Sequence, residues 1–93
     1  MDQITDEMER AALKKIYEAA LSVTNDTNGL KDITVYLSDE PIEGKRGVQL
    51  ENAYETAKAL ARIGLIWIQD HERMGVQITE NGIRKVVERQ SGL

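Results

Sequence analysis

The side chains best suited to catalysis are few in this sequence, and they stand in no catalytic pattern. Its single histidine, His71, lies between Asp70 and Glu72, and the chain has no cysteine. A metal ion needs several convergent ligands, which adjacent residues seldom provide, so His71 is more typical of an exposed turn. A hydrolytic nucleophile needs a serine or cysteine held against a base, and none of the three serines stands in such a motif. We therefore predict that the protein is not an enzyme and holds no metal or cofactor.

A predicted loop, residues 39–48, contains the only candidate for a phosphate-binding loop. Its segment Gly44-Lys45-Arg46-Gly47 has suitable residue types but lacks the strand–loop–helix frame and the glycine spacing of such loops. Two interpretations stay open. Either the loop holds Lys45 and Arg46 toward a ligand, or it is an excursion without a role. Long loops in small domains are more often functional or mobile than accidental.

Length and composition predict one small intracellular domain with an aliphatic core. The 93 residues suffice for a single core, and the chain has no phenylalanine. No apolar run approaches the ~20 residues that span a bilayer, and the acidic N-terminus lacks the layout of a signal peptide. These features predict a cytoplasmic protein. The net charge is −4, with −6 in residues 1–43 and +2 in residues 44–93. Because local potential governs phosphate contact, DNA binding is permitted but not required.

The first predicted helix, residues 6–23, has apolar residues on more than half of its circumference. One apolar row follows three- and four-residue spacings and ends at Val23. A second row on a neighbouring face consists of Leu13, Tyr17 and Leu21. Such a helix is either deeply buried in the monomer or also forms a dimer interface.

Residues 30–38 fit two kinds of secondary structure. Leu30, Ile33 and Leu37 have the spacing of a helix face. Ile33, Val35 and Leu37 alternate with other residues, and two of the three are β-branched, as is typical of a strand. The periodicity alone leaves both structures open for this segment.

The second half of the chain gives the clearest pattern. A helix is predicted over residues 49–63, with Gly64 well placed to end it in a left-handed conformation. Alternating apolar residues then predict a β-hairpin over residues 65–79. Thr79 is suited to cap a last helix over residues 80–89. The predicted order is therefore helix, hairpin, helix.

This order resembles the second half of a winged helix-turn-helix domain. The matching residues are Leu60, Gly64-Leu65-Ile66 and Ile78-Thr79-Glu80-Asn81-Gly82, and the resemblance covers roughly residues 30–90. It implies an α+β fold that is mostly α, with a three-helix core, a β-hairpin wing in the C-terminal half and a final helix. It also favours a short helix over residues 30–38.

Because members of that superfamily mostly bind DNA, the resemblance implies a small prokaryotic-type transcriptional regulator of that kind, without a cofactor. Helix 49–63 would be the recognition helix in the major groove, where Gln49, Asn52 and Thr56 would bond base edges. Helix 6–23 would support a homodimer. Phosphate contacts would come from Lys45, Arg46, Lys58, Arg62 and Arg73.

A different class of function also fits the sequence. Glu51 and Glu55 stand one turn apart on the predicted outer face of helix 49–63, where they oppose contact with phosphates. Trp67 in the predicted hairpin either packs in the core or is exposed as a partner site, since tryptophan is enriched among interface hot spots. The alternative is therefore a winged-helix module that binds protein and not DNA.

Overall fold

The computed structural model describes residues 6–91, except for the side chains of residues 27 and 89–91. This part of the chain is a small α+β domain with three α-helices and a four-stranded mixed sheet. Both ends of the predicted 1–93 domain, residues 1–5 and 92–93, lie outside the described residues. Among the described residues, no helix is both long and apolar enough to cross a membrane. The elements are α1 (Asp6–Thr24), a 3₁₀ helix (Thr27–Asp32), β1 (Val35–Ser38), β2 (Gly47–Gln49), α2 (Ala53–Arg62), β3 (Ile66–Asp70), β4 (Gly75–Ile78) and α3 (Glu80–Ser91).

The four strands lie in the order β2-β1-β4-β3, so β2 and β3 form the two edges of the sheet. β1 pairs in parallel with β2 and antiparallel with β4, and β4 pairs antiparallel with β3. Ile66 lies opposite Ile78 and both are buried, whereas Trp67 lies opposite Gln77 and is exposed. This is the alternation expected of a sheet that buries only one face.

α1 contributes both of its apolar rows to the monomer core. Ile16 is fully buried, and Leu13 and Tyr17 of the second row are 2% and 7% exposed. Leu21 of that row is partly buried against the same core. The second row therefore packs mainly within the monomer. Homodimerisation through this helix stays a prediction from the sequence.

The prediction of a helix over residues 30–38 is wrong. The 3₁₀ helix ends at Asp32, and Ile33 is already extended, with φ −94° and ψ 120°. Val35 and Leu37 are buried and alternate with the half-buried Tyr36 and Ser38 in β1. The structure thus follows the β-branched residues and their two-residue alternation, not the helical spacing across the same segment.

The predicted loop 39–48 and the predicted start of the next helix are also corrected. Residues Gly47–Gln49 form β2, and the main-chain N–H of Leu50 donates to the Ser38 carbonyl at 2.8 Å. The helix predicted over 49–63 begins only at Ala53. Two α-helices, not three, therefore precede the hairpin, and a short parallel strand stands immediately before α2.

A compact junction joins the end of α2, the hairpin and the start of α3. The Thr79 hydroxyl donates to the Gly64 carbonyl at 2.6 Å and accepts from the Gly82 N–H at 3.1 Å. The Thr79 N–H donates to the Leu65 carbonyl at 3.1 Å. Thr79 thus caps α3, as its sequence position predicts, and also ties that cap to the turn after α2. Gly64 makes this turn with φ 79°, a conformation that favours glycine.

Candidate nucleic-acid interface

The exposed face of α2 combines one aromatic, one acidic and two basic side chains. Tyr54, Lys58 and Arg62 follow one another at four-residue spacing, and Glu55 lies beside them. Tyr54 is half exposed, and the Lys58 Nζ lies 4.9 Å from the centre of its ring. This cation–π contact holds the ammonium group along the helix and leaves both side chains accessible.

The hairpin turn returns to the N-terminal end of α2. A groove of about 330 Å³ lies between them, lined by Tyr54 of α2, Ile42 of the 39–46 loop and Arg73 of the turn. Three separate segments therefore present side chains around one groove. Arg62 lies in the last turn of α2, at the end of the helix away from this groove.

Asp39 and Asp70 fix the backbone on either side of the groove. The Asp39 carboxylate accepts from the Ala53 N–H at 2.7 Å, which supplies the N-terminus of α2 with a cap from fourteen residues away. The Asp70 carboxylate accepts from the N–H groups of Glu72 and Arg73 at 3.0 and 3.2 Å. Both acidic side chains therefore hold local structure, and this explains their presence in a region proposed to face phosphates.

The three predicted base-reading residues do not form a reading face. Thr56 is 2% exposed, and its buried hydroxyl has no hydrogen-bond partner, so it belongs to the core side of α2. Gln49 lies in β2, and its side-chain amide donates to the Asp39 carbonyl at 3.3 Å. Asn52 precedes α2 and is half buried. The buried side of α2 includes Thr56 together with Ala53, Ala57 and Leu60, and the exposed side carries Tyr54, Glu55, Lys58 and Arg62.

Asn52 has a conformational role that the sequence did not predict. It adopts the left-handed conformation with φ 56° and ψ 46°, and its side chain makes no capping hydrogen bond to α2. Asparagine tolerates this conformation better than most residues, and glycine tolerates it best. We expect Asn52→Gly to leave the stability nearly unchanged and Asn52→Ala to lower it by about 1 kcal/mol. Urea denaturation followed by circular dichroism measures both, and equal stability of the two variants would contradict this assignment.

The predicted phosphate contacts are all accessible. Lys45, Arg46, Lys58, Arg62 and Arg73 are exposed. The surrounding charge is nevertheless not basic, because residues 39–55 contain five acidic and two basic residues. The accessible cations are therefore interspersed with carboxylates and do not form a continuous basic band.

The structure places Trp67 at the surface. Its side chain is 62% exposed on β3, on the face of the sheet opposite the core. Beside it, the Gln69 amide donates to the Gln77 side-chain oxygen at 2.8 Å, and the Gln77 amide donates to the Thr34 hydroxyl at 3.4 Å. The outer face of the sheet is thus polar except for its aromatic residues.

His71 is exposed in the hairpin turn. In the part of the chain that the structure describes, no group of three or more histidine, cysteine or acidic residues is placed to hold a metal ion.

A larger groove, of about 840 Å³, was missed by sequence reasoning. It lies between the start of α1, the turn after α2 and α3, and its apolar lining includes Leu13, Ile63, Leu65 and Val86. No sequence motif marks it, because its residues come from three distant segments. Its charged lining has three acids and three bases, and so it favours neither an anion nor a cation: Asp6, Glu7, Glu9, Arg10, Lys14 and Lys85.

Comparison with known proteins found no matching family model, no matching curated protein and no matching solved structure.

Proposed function

We propose that this chain is a winged-helix-type DNA-binding regulator that contacts double-stranded DNA with the N-terminal half of α2, the hairpin turn and the 39–46 loop. The observation that carries the proposal is the groove shared by these segments. A helix whose free N-terminal half is flanked by a hairpin turn and a loop can enter a major groove while its neighbours contact the two backbones. Fold-level likeness alone does not assign a function, so binding has to be measured.

The chain order of α2, β3, β4 and α3 supports the same proposal. It is the order of recognition helix, wing and final helix that the sequence resemblance implies, and the hairpin follows α2 directly. The missing helix before α2 is a departure from that family pattern. In its place, β2 and the Asp39 cap hold the start of α2.

The phosphate contacts proposed for this interface are four of the five expected from the sequence, whereas the base-reading contact differs. Lys58 and Arg73 supply phosphate contacts beside the groove, and Lys45 and Arg46 supply them from the loop. Glu55 is an exposed α2 side chain able to read a base, by accepting from cytosine N4. Tyr54 adds an apolar surface between them. Thr56 is excluded because it is buried.

The experiment is fluorescence anisotropy of a labelled random duplex, titrated with protein at several salt concentrations. We expect affinity that falls steeply with salt, because phosphate contacts release counterions. Lys58→Gln and Arg73→Gln should each flatten the logarithmic salt dependence by about one unit. Lys15→Gln is the matched control, since Lys15 is exposed on α1 and does not line the groove. Absence of any salt-sensitive binding at low ionic strength would refute the proposal.

A second candidate function is a module that binds another protein. The specific observation in its favour is the excess of carboxylates around the N-terminal end of α2, together with the exposed Tyr54. An acidic rim around an aromatic side chain suits a basic peptide better than a duplex. The same titration separates the two functions: binding of a lysine- and arginine-rich peptide, abolished by Glu51→Gln and Glu55→Gln, with no DNA binding, would favour the module.

A further inference from the structure

The edge strand β3 carries the most exposed large hydrophobic side chain in the described residues, Trp67, on the outer face of the sheet. β3 is the last strand of the sheet, so β4 pairs with one of its edges and no strand of residues 6–91 pairs with the other. Edge strands are usually protected from pairing by charges, proline or bulges. In β3 the charge of Asp70 and a bulge near Gln69 lie at the C-terminal end, and residues 66–68 contain neither charge nor proline. We propose that this edge pairs antiparallel with the same edge of a second copy of the chain. The proposal goes beyond DNA binding and does not depend on it.

The main chain of β3 is oriented for such pairing. The Leu65 carbonyl accepts from the Thr79 N–H at 3.1 Å and so points toward β4. Because the direction of the main-chain groups alternates along an antiparallel ladder, those of Trp67 also point toward β4, and those of Ile66 and Ile68 point toward the free edge. These two residues therefore present donors and acceptors to a partner strand.

A β-bulge fixes the register. Ile68 lies opposite Val76 and Asp70 lies opposite Gly75, so the strand carries one extra residue near Gln69. Bulges interrupt regular pairing, and the regular part of the edge is therefore centred on Trp67. A twofold axis at this position places Ile66 opposite Ile68 of the second copy and the two Trp67 rings side by side. The two Trp67 residues then form a pair whose main chains do not hydrogen-bond to each other. Side chains approach closely in pairs of this kind, and aromatic cross-strand pairs are stabilising.

The central part of this edge suits pairing with a second copy. Residues 66–69 carry no charge, so two copies meet there without repulsion between like charges. In the antiparallel arrangement centred on Trp67, residues 66–68 of each copy supply both members of every cross-strand pair. The edge is thus complementary to itself in one orientation, which is the condition for a twofold-symmetric interface.

Sedimentation equilibrium across micromolar to millimolar protein concentrations tests the proposal. We expect the mean mass to rise from one chain to two. Trp67 is the sole tryptophan, so its emission should shift to shorter wavelength and its quenching by acrylamide should fall over the same range. Trp67→Thr, which keeps a good strand former, should weaken dimerisation at least tenfold. Tyr54→Thr removes an exposed aromatic from α2 and should leave the dimer unchanged.

A pair of charge variants provides the second arm of the test. Trp67→Lys and Trp67→Glu each place like charges opposite one another at the twofold axis and should abolish self-association, whereas an equimolar mixture of the two should dimerise because opposite charges then face each other. A dimer indifferent to Trp67→Thr, or a mixture no more associated than either variant alone, overturns the proposal. A chain that stays monomeric, with solvent-like Trp67 emission throughout, also overturns it and leaves the edge to a strand of a different protein.

Discussion

Replacement of Gly82 by alanine should lower the free energy of unfolding by at least about 2 kcal/mol and the melting temperature by about 10 °C or more. A Cβ at this position would overlap the Leu65 carbonyl oxygen and would lie 2.8 Å from the Ile78 Cγ1. Leu65 cannot yield independently, because its N–H donates to the Leu60 carbonyl at 3.0 Å and its carbonyl accepts from Thr79. The first turn of α3 would have to withdraw from the junction.

The sign of this effect is informative because helix propensity acts in the opposite direction. Alanine is favoured over glycine by about 1 kcal/mol in an exposed helix, so a Gly82→Ala variant that gained stability would show that α3 does not contact the turn after α2. The matched control is Asn81→Ala in the same helical turn, where the side chain is exposed. We expect its melting temperature to change by only a few degrees. Thermal denaturation followed by far-UV circular dichroism measures both variants.

The second half of the fold was predictable because its signals are local. Gly64 follows the end of α2, Thr79 caps α3, and the alternation of Ile66, Ile68, Val76 and Ile78 with more polar or exposed neighbours marks the hairpin. Each of these signals rests on the geometry of a few consecutive residues. The glycine at position 82 was part of the pattern that suggested the fold, and the structure supplies its reason, a close approach of α3 to the Leu65 carbonyl.

The middle of the chain was not predictable in the same way. The choice between helix and strand at Val35–Ser38 depends on pairing with β4 and β2, whose residues lie far along the chain. The start of α2 at Ala53 depends on the Asp39 carboxylate, and no spacing rule connects these two positions. The β-branched alternation of residues 33–37 was the one local sign of the strand, and the family order favoured a helix instead.

The candidate site likewise has some features that local sequence patterns predict and others that depend on distant contacts. The exposure of Lys58 and Arg73 follows from their positions on a helix face and in a turn, so the sequence predicted it. The burial of Thr56 does not follow from its residue type, because threonine is polar. Its place on the inner face with Ala53, Ala57 and Leu60 is set by how α2 packs on the core. The groove that joins α2 to the hairpin turn is a tertiary feature that no local pattern encodes.

The residues that carry the winged-helix resemblance are mainly structural in this protein. Leu60, Leu65, Ile66 and Ile78 are all buried. Together with Gly64, Thr79 and Gly82 they form turns, caps and core. Their agreement with a family pattern therefore concerns the fold, and functional specificity has to reside in exposed residues outside the pattern.

Leu60 is the member of this set whose truncation should be most damaging to the core. It is fully buried and lies on the side of α2 that faces the interior. Leu60→Ala should lower the free energy of unfolding by about 2–5 kcal/mol, through lost apolar burial and the cavity that remains. In a domain of this size, a loss in that range is a large part of the typical total of about 5–15 kcal/mol.

Leu60→Met distinguishes loss of packing from loss of a specific side-chain shape, because it conserves volume and should cost less than about 1.5 kcal/mol. Urea denaturation followed by far-UV circular dichroism is the suitable measurement, since Trp67 is already 62% exposed in the folded chain and its emission is a poor reporter of unfolding. If both variants lost the same large amount, the shape of leucine itself would be required. If Leu60→Ala lost less than about 1 kcal/mol, α2 would not be anchored through this residue, and the junction that orients its exposed face would have to rest on Gly64 and Thr79.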